Sequence, residues 1–507
     1  MESANRKPLT VLLLVAFGVV LLRTAWIGDD SYITMRTIDN FINGYGLTWN
    51  IQERLQTYTH PLWMLLLTIV YAVSHNPYLS LIGLSLFISI LTIYIFLVYG
   101  SQDKYSVFIG WSILVLSNAF IDYSTSGLEN PASHLIIIVF TLLYLKWRND
   151  LSQKHILILA LSVSLLTLNR IDLLLFFIPA ILEIIFTGEI VKRFKLFFIG
   201  FLPFILWELF SIIYYGFPFP NTYYAKLTTG ISHSALIRHG ILYFFNSVAW
   251  DPITLLVIGS SFVLSMLWGN RQERMISTGI MIYLGYVVWI GGDFMSGRFL
   301  SAALLSSVVI LMVFLNKISF AQRSMIFAVV IFIGFMAYSP SYSAPTTRDD
   351  ELENFTGVSD EQAWYYPGTG LLRWGKSTPL PYHQWVYEGR DIRDQGVKVY
   401  VGKGIGFLGF SAGPIVHVID HFALSDPLLS HMPVKAKGSI LIGHFARPIP
   451  KGYIQTLETN INQIEDPGIA QYYEKISLVT RGKIWSAKRW EAIWKLNTGQ
   501  YDYLLDQ

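Results

Sequence analysis

The sequence contains no cysteine, and charged residues make up only 14% of its 507 positions. The absence of cysteine excludes disulfides, thiolate nucleophiles and cysteine-ligated metals. The net charge is only +3, and no basic run interleaved with aromatic residues occurs, which excludes nucleic acid as a partner. The chain also lacks the phosphate-loop motif G-x-x-x-x-G-K-[ST] of nucleotide-dependent enzymes. These absences leave the apolar residues as the main source of information.

Hydrophobic residues make up 53% of the chain, far more than in an ordinary soluble protein. About half of the charged residues follow Pro340. The composition therefore predicts a polytopic α-helical membrane domain over residues 1–340 and a soluble α/β domain over residues 341–507. The apolar runs that carry this prediction cover residues 9–27, 61–74, 79–99, 105–121, 131–147, 155–168, 172–187, 196–214, 252–268, 275–290, 298–316 and 324–339.

Lysine and arginine sort the loops between these runs. They concentrate near residues 146, 191, 269 and 316, which the positive-inside rule places in the cytoplasm. The alternate loops and everything after residue 338 then face outward. Twelve crossings would return the chain to the cytoplasm, so we expect one short run, 61–74 or 105–121, to be a half-span. The sequence thus predicts about eleven transmembrane helices.

The first outward loop, residues 28–60, opens with two adjacent carboxylates, Asp29 and Asp30. One of them is explained as the cap of a helix, but a second carboxylate at a lipid boundary costs free energy without improving the cap. A carboxylate at this depth can accept a proton, bind a cation or stabilise a cationic sugar transition state. The pattern after the pair predicts an amphipathic helix on the membrane surface. Its apolar positions are Ile33, Ile38, Phe41 and Ile42, and its polar positions are Arg36, Asp39 and Asn43.

Other polar residues cluster in the remaining outward loops, and each has a structural as well as a functional interpretation. Arg170 and Arg298 are either interfacial ion-pair partners or ligands of a phosphate. Glu129 lies directly before the start of a span, where capping does not require it. The remaining candidates for substrate contact are Asp293, Asn221, Tyr223, Lys226 and His60. Together they predict a site on the outer face where acids and phosphate-binding bases meet beside lipid.

Several blocks of the sequence resemble, in the same order, those of membrane glycosyltransferases of the C superfamily. The most similar branch contains the mycobacterial terminal arabinofuranosyltransferase and the type IV pilin arabinofuranosyltransferase, and the resemblance extends over nearly the full chain. The blocks that carry it are WIGDDSYITMRTIDNFINGYGLTWN, TYTHPLWMLLL, SGLENP, FPNTYYAK, GGDFMSGRFL, GKGIGFLGFSAGPIVHVIDHFALSDPLLSH and GHFARPIPKGYIQTLETN.

This resemblance implies a donor in which a sugar, D-arabinofuranose foremost, is linked to polyprenyl phosphate. It also implies an active site and a C-terminal domain on the periplasmic side of a bacterial inner membrane, and a catalytic base at Asp29 or Asp30. The acceptor is a hydroxyl group of a pilin serine or threonine or of an envelope glycan. Arg170, Arg298 and Lys226 are then expected to neutralise the departing phosphate. The resemblance assigns no cofactor, and the paired acids could hold Mg²⁺ or Mn²⁺.

Three other functions remain open from the sequence, and the last of them is an assembly scaffold whose outer domain binds partners. The first is an enzyme of the same architecture that transfers another lipid-linked sugar to lipopolysaccharide or a glycolipid. The second is a flippase for such lipids, which typically shows inverted repeats and charges at mid-membrane depth. The charges here concentrate at the outer ends of the runs, which favours a transferase.

Overall fold

A computed structural model describes residues 7–147, 150–227, 229–345, 350–375, 380–434 and 442–505. Within these residues the chain forms 24 α-helices and two β-strands. The helices up to residue 227 are α1 (Lys7–Thr24), α2 (Asp29–Ile42), α3 (Pro61–Ser74), α4 (Pro77–Tyr99), α5 (Lys104–Leu116), α6 (Asn118–Asp122), α7 (Asn130–Lys146), α8 (Gln153–Asn169), α9 (Ile178–Phe186), α10 (Ile190–Gly200), α11 (Leu202–Tyr214) and α12 (Asn221–Leu227).

The elements after residue 229 include both strands. They are α13 (His233–Trp250), α14 (Pro252–Trp268), α15 (Arg271–Trp289), α16 (Leu300–Leu315), α17 (Phe320–Gly334), α18 (Asp350–Thr356), α19 (Glu361–Thr369), α20 (Gln384–Asp394), β1 (Val399–Gly402), α21 (Ile405–Ala412), β2 (His417–Asp420), α22 (Tyr453–Thr459), α23 (Pro467–Arg481) and α24 (Ala487–Asn497). Three 3₁₀ helices cover Ile171–Phe177, Leu429–His431 and Asp502–Leu504.

The chain forms two compact units, and each is assembled from three separate segments. Unit 1 contains Met1–Gly28, Tyr78–Phe204 and Ser232–Ser377, and unit 2 contains Asp29–Pro77, Ile205–Ile231 and Thr378–Gln507. The division predicted from composition, 1–340 and 341–507, separates a membrane part from a soluble part and stays a prediction.

Unit 1 is a bundle of apolar helices around α16. Nearly every side chain of α16 is buried, including Leu304, Val308 and Met312, as expected for a helix that is apolar on all sides and lies in a core. Helices α5, α7 and α14 pack directly against it. The fold of this unit therefore follows from the apolar runs recognised in the sequence.

Two helices of the described residues, α1 and α4, are long and apolar enough to cross a membrane. The number rises to four if each of two bent pairs, α10 with α11 and α13 with α14, is one span. The two runs expected to contain a half-span form α3 and α5, of 14 and 13 residues, which is shorter than the roughly 20 residues of a perpendicular span. The predicted count of about eleven spans stays a prediction.

Unit 2 contains a small α/β element, as predicted for the C-terminal part of the chain. Strands β1 and β2 pair in parallel, with Val399 opposite His417 and Gly402 opposite Asp420. Helix α21 connects them and packs against α20 and α2. Because parallel strands end at the same edge, Gly402 and Asp420 bring the loops that follow them together, and such edges commonly carry functional sites.

Helix α2 forms where the sequence predicted an amphipathic helix, and its place on the membrane surface stays a prediction, but the predicted exposure of Arg36 is wrong. Most of it is buried within unit 2, and Arg36, expected on the polar face, is only 2% exposed. The Arg36 guanidinium donates to the carbonyl oxygens of Trp49 (2.8 Å), Gly409 (2.6 Å) and Val416 (2.8 Å), and it lies over the Trp49 ring. The prediction was wrong because the C-terminal segment supplies buried acceptors that local periodicity does not reveal.

Candidate functional site

Asp29 begins α2 and reaches the first turn of α21 in unit 2. One carboxylate oxygen accepts a hydrogen bond from the Gly406 amide (2.9 Å), and the other accepts one from the Phe407 amide (2.7 Å). The first amides of a helix have no partner within that helix and favour a negative charge. The carboxylate is therefore held in one orientation, with lone pairs left for a further donor.

Glycines allow the close approach of α2 and α21. A Cβ atom at Gly406 would lie 1.8 Å from the Asp29 carbonyl oxygen, and one at Gly409 would lie 2.8 Å from the Trp49 ring. Both glycines occur in the sequence GKGIGFLGF, three positions apart and thus on one face of the helix. The glycine spacing is the sequence signal that identifies this contact.

Asp29, Asp30 and Asp420 form an acid cluster in unit 2. The pKa of Asp29 is raised to about 7, mainly by burial; the Phe407 amide opposes this increase, and the charge of Asp30 contributes to it. The pKa of Asp420 is likewise raised to about 7, mainly by burial. The amides of Phe422 and Leu424 oppose this increase, and the charge of Asp30 contributes to it. Asp30 itself is partly exposed. A carboxylate with a pKa near neutrality suits proton transfer at physiological pH.

Asp420 was missed by sequence reasoning. It is completely buried and accepts hydrogen bonds from the amides of Phe422 and Leu424, which fold the loop that follows β2. Its position at the carboxyl edge of the β1–β2 pair became evident only with the strand pairing. A short strand that ends in aspartate was the available signal, and it was too weak to use alone.

The other predicted site residues of unit 2 differ in exposure. His60 is buried, and its Nε2 atom lies 2.8 Å from the Thr34 hydroxyl. The Asn221 amide donates to the carbonyl oxygens of Ala423 (2.9 Å) and Leu424 (3.0 Å), so it fixes the loop after β2. Tyr223 and Lys226 are exposed on α12. Among the predicted site residues on α12, only Tyr223 and Lys226 have exposed side chains within the described structure.

The predicted site residues of unit 1 form one buried ion-pair network. Glu129 accepts from Arg170 (3.2 Å) and from Arg298 (3.1 Å), so a single carboxylate joins both arginines. Arg170 also pairs with Asp172, with 3.0 Å between Nε and Oδ1, and Arg298 pairs with Asp293 at 3.5 Å. The sequence placed these residues in outward loops without pairing Glu129, and the structure joins those of unit 1 in this network. Both guanidinium groups are held by carboxylates, which is the ion-pair interpretation left open above.

The loop GGDFMSGRF owes its shape to glycine. Gly292 has a φ angle of 73°, and a Cβ atom there would lie 2.6 Å from the Tyr243 side chain. Gly297 also has a φ angle of 73°, and its Cβ would lie 2.9 Å from that of Ala119. These two glycines bring Asp293 and Arg298 to the network, because other residues rarely adopt this conformation.

Within the described ranges, no group of three or more histidine, aspartate or glutamate side chains is placed to hold a metal ion. The carboxylate oxygens of Asp29 already accept two backbone amides. The predicted use of Mg²⁺ or Mn²⁺ therefore stays a hypothesis for a chelation experiment.

The chain is 26% identical over 514 aligned positions to the terminal β-(1→2)-arabinofuranosyltransferase of Mycobacterium tuberculosis, covering 82% of this chain and 80% of the relative. This similarity confirms the resemblance to membrane glycosyltransferases of the C superfamily. It equally confirms the prediction of a glycosyltransferase. No protein-family model matches the chain.

Two solved structures resemble the fold. The crystal structure of ArnT from Cupriavidus metallidurans bound to undecaprenyl phosphate aligns with a TM-score of 0.50 at 10% identity, covering 82% of this chain and 86% of that chain. The Archaeoglobus fulgidus oligosaccharyltransferase in complex with zinc and sulfate aligns with a TM-score of 0.44 at 13% identity, covering 80% of this chain and 62% of that chain. The likeness to ArnT shows that the two chains share a fold.

Proposed function

We propose that the protein transfers a sugar, D-arabinofuranose, from a polyprenyl-phosphate donor to a hydroxyl group of an acceptor outside the cytoplasm. The observation that carries this proposal is the Asp29 carboxylate, which two amides orient and whose pKa lies near 7. The similarity to an arabinofuranosyltransferase favours the sugar. The undecaprenyl phosphate bound to ArnT is consistent with the lipid of the donor.

Asp29 acts as the base in this proposal. It accepts the proton of the acceptor hydroxyl, whose oxygen forms a bond to the anomeric carbon of the sugar. The bond between that carbon and the phosphate oxygen breaks, and the electron pair leaves with the lipid phosphate. Because phosphate is a good leaving group, neither a covalent enzyme intermediate nor a general acid is required.

Asp30 has a supporting role at the same site. Its negative charge raises the pKa of Asp29 and keeps the carboxylate basic near neutral pH. Tyr223 and Lys226 are the exposed candidates for contact with the sugar and the phosphate. Arg170 and Arg298 neutralise phosphate only if they exchange a carboxylate partner for it, because Glu129 already pairs with both.

The proposed location is a bacterial inner membrane, with the active site and the C-terminal part of the chain in the periplasm. The acceptor is a pilin serine or threonine or an envelope glycan. If the donor carries another sugar, the acceptor class changes to lipopolysaccharide or a glycolipid, while the chemistry at Asp29 remains the same.

The test is transfer of radiolabelled arabinofuranose from synthetic polyprenyl phospho-arabinofuranose by the purified protein, with a pilin peptide and an arabinoside as acceptors. We expect transfer by the unmodified protein and its loss in Asp29→Asn, with donor binding retained. Asp391→Asn, an exposed position on α20, is the matched control and should retain activity. Loss in Asp30→Asn together with full activity in Asp29→Asn would reverse the two roles, and an unmodified protein that neither binds nor uses the donor would refute the arabinose assignment.

A further inference from the structure

Helix α24 of unit 2 and the residues just before it carry three tryptophans. Trp485 and Trp494 are 77% and 67% exposed, and Trp490 stacks on Trp485 with ring centroids 6.3 Å apart. These three residues are called the tryptophan surface. Trp490 is only partly exposed and also packs against the core of unit 2. Burial of a large apolar side chain is worth about 1.5–3 kcal/mol, so the exposure of Trp485 and Trp494 indicates a surface that another phase or molecule covers.

The opposite face of α24 is attached to the end of the apolar helix α11. Arg489 is fully buried and donates to the carbonyl oxygens of Ile213 and Tyr214, both at 2.9 Å. The Asn497 amide donates to the Gly216 carbonyl oxygen at 2.9 Å. The last carbonyl groups of a helix lack partners within it, and a cationic side chain stabilises them. These bonds hold α24 at the C-terminus of α11.

Helix α11 is the second half of a bent pair that is apolar enough to cross a membrane. Leu206 and Leu209 on this helix are exposed, as expected for side chains that face lipid. The C-terminus of such a helix marks the depth at which the apolar layer ends. Arg489 therefore places α24 at that depth, where tryptophan is enriched in membrane proteins because its ring is apolar and its N–H is polar.

Lysines flank the tryptophan surface. Lys483 and Lys488 are exposed on either side of Trp485. Lys495 follows Trp494, and its ammonium group pairs with Glu491 at 2.7 Å. The apolar stems of lysine pack beside aromatic rings while their ammonium groups reach lipid phosphates. The tryptophan surface and its flanking lysines are continuous with the end of an apolar helix. This combination of apolar rings and positive charge suits contact with the headgroup layer of an anionic bilayer.

We propose that the tryptophan surface inserts into the headgroup layer of the bilayer and holds unit 2 against the membrane. Its occupant is anionic phospholipid, recognised by indole rings at the interface and by the lysines beside them. This surface acts independently of the chemistry at Asp29, so its failure would not affect the proposed transferase function.

The absence of cysteine makes a direct test possible, because an introduced cysteine is unique. Trp494→Cys carries a nitroxide label in the full-length protein, reconstituted in nanodiscs of phosphatidylethanolamine and phosphatidylglycerol. Glu465→Cys is the matched control, because its side chain in the same unit is also 67% exposed. Collision rates of both labels with oxygen and with a water-soluble nickel chelate are compared.

We expect the label at position 494 to collide severalfold less with the chelate, and more often with oxygen, than the control label. Trp485→Cys should give the same result, which guards against a local effect of one label. Equal chelate collision rates at positions 494 and 465 would overturn the proposal. Low collision rates with both reagents at position 494 would indicate that a protein covers the tryptophan surface. Protection of the label from the chelate that requires a soluble arabinoside would indicate a sugar site. Either result would also overturn the proposal.

Discussion

The Asp29 carboxylate accepts a hydrogen bond from the Phe407 amide, a residue 378 positions later in the chain, at 2.7 Å. The residue proposed as the base is thus oriented by the C-terminal segment of the sequence. A catalytic group held by backbone amides needs no reorganisation when the reaction begins.

The rate of transfer should depend on the protonation of Asp29. A base must be deprotonated, so the rate should rise as the pH increases through about 7 and then level off, since the pKa of Asp29 is raised to about 7. Because the charge of Asp30 contributes to that increase, Asp30→Asn should move the rise to lower pH. The measurement is a pH–rate profile at saturating donor, and an unchanged midpoint in Asp30→Asn would contradict the assigned coupling.

The same pKa shift predicts the direction of stability with pH. A carboxyl group whose pKa is higher in the folded than in the unfolded protein favours folding most strongly below the unfolded value of 3.8. That contribution decreases as the pH rises toward about 7. Thermal unfolding of the unmodified protein and of Asp29→Asn across this range should show a smaller decrease in the variant, which has no ionisable group at this position.

Gly406→Ala should separate α2 from α21. The added methyl group would lie 1.8 Å from the Asp29 carbonyl oxygen, so the helices must move apart. Overpacking of this kind costs about 1–3 kcal/mol, and transfer should fall because the amides no longer hold Asp29. Gly285→Ala on α15 is the matched control, since nothing lies within 4 Å of its added methyl group. A thermal midpoint and an activity equal to those of the unmodified protein would show that the contact is not needed.

Glu129→Gln should destabilise unit 1 strongly. It leaves the buried guanidinium groups of Arg170 and Arg298 without their shared carboxylate, and breaking a buried ion pair by removing one partner costs about 3–5 kcal/mol. Thermal unfolding in detergent measures the loss. Glu189→Gln removes an exposed ion pair with Lys192 and should shift the midpoint little. If both substitutions have equally small effects, the network does not stabilise the unit.

Lys226→Ala should weaken donor binding without loss of stability. Lys226 is exposed on α12, and a hydrogen bond to a charged group contributes about 1.5–3 kcal/mol, roughly a tenfold to hundredfold change in affinity. Binding of labelled polyprenyl phosphate is the measurement. Lys451→Ala, at a lysine that is 84% exposed, controls for the loss of one surface charge. Equal affinities in the two variants would remove Lys226 from the site.

Local patterns predicted much of the secondary structure. The apolar runs became helices because burial and lipid are the environments that favour their side chains. The sequence placed Glu129, Arg170 and Arg298 in outward loops but did not pair them, because the loops that carry them lie far apart in the chain. The exposure of Arg36 on α2 was wrongly predicted, because Arg36 finds its acceptors on residues far along the chain.

The sequence by itself determined the apolar helices, the acidic pair at residues 29 and 30, the glycine spacing of α21 and the resemblance to membrane glycosyltransferases. Only the tertiary structure decided that Asp29 is held by α21, that Asp420 joins the acid cluster and that Glu129 occupies both arginines. The physical reason is the range of the interactions. Helix formation and hydrophobic periodicity depend on neighbours within a few positions, whereas the orientation and the pKa of a buried carboxylate depend on amides and charges that are close only after the chain has folded.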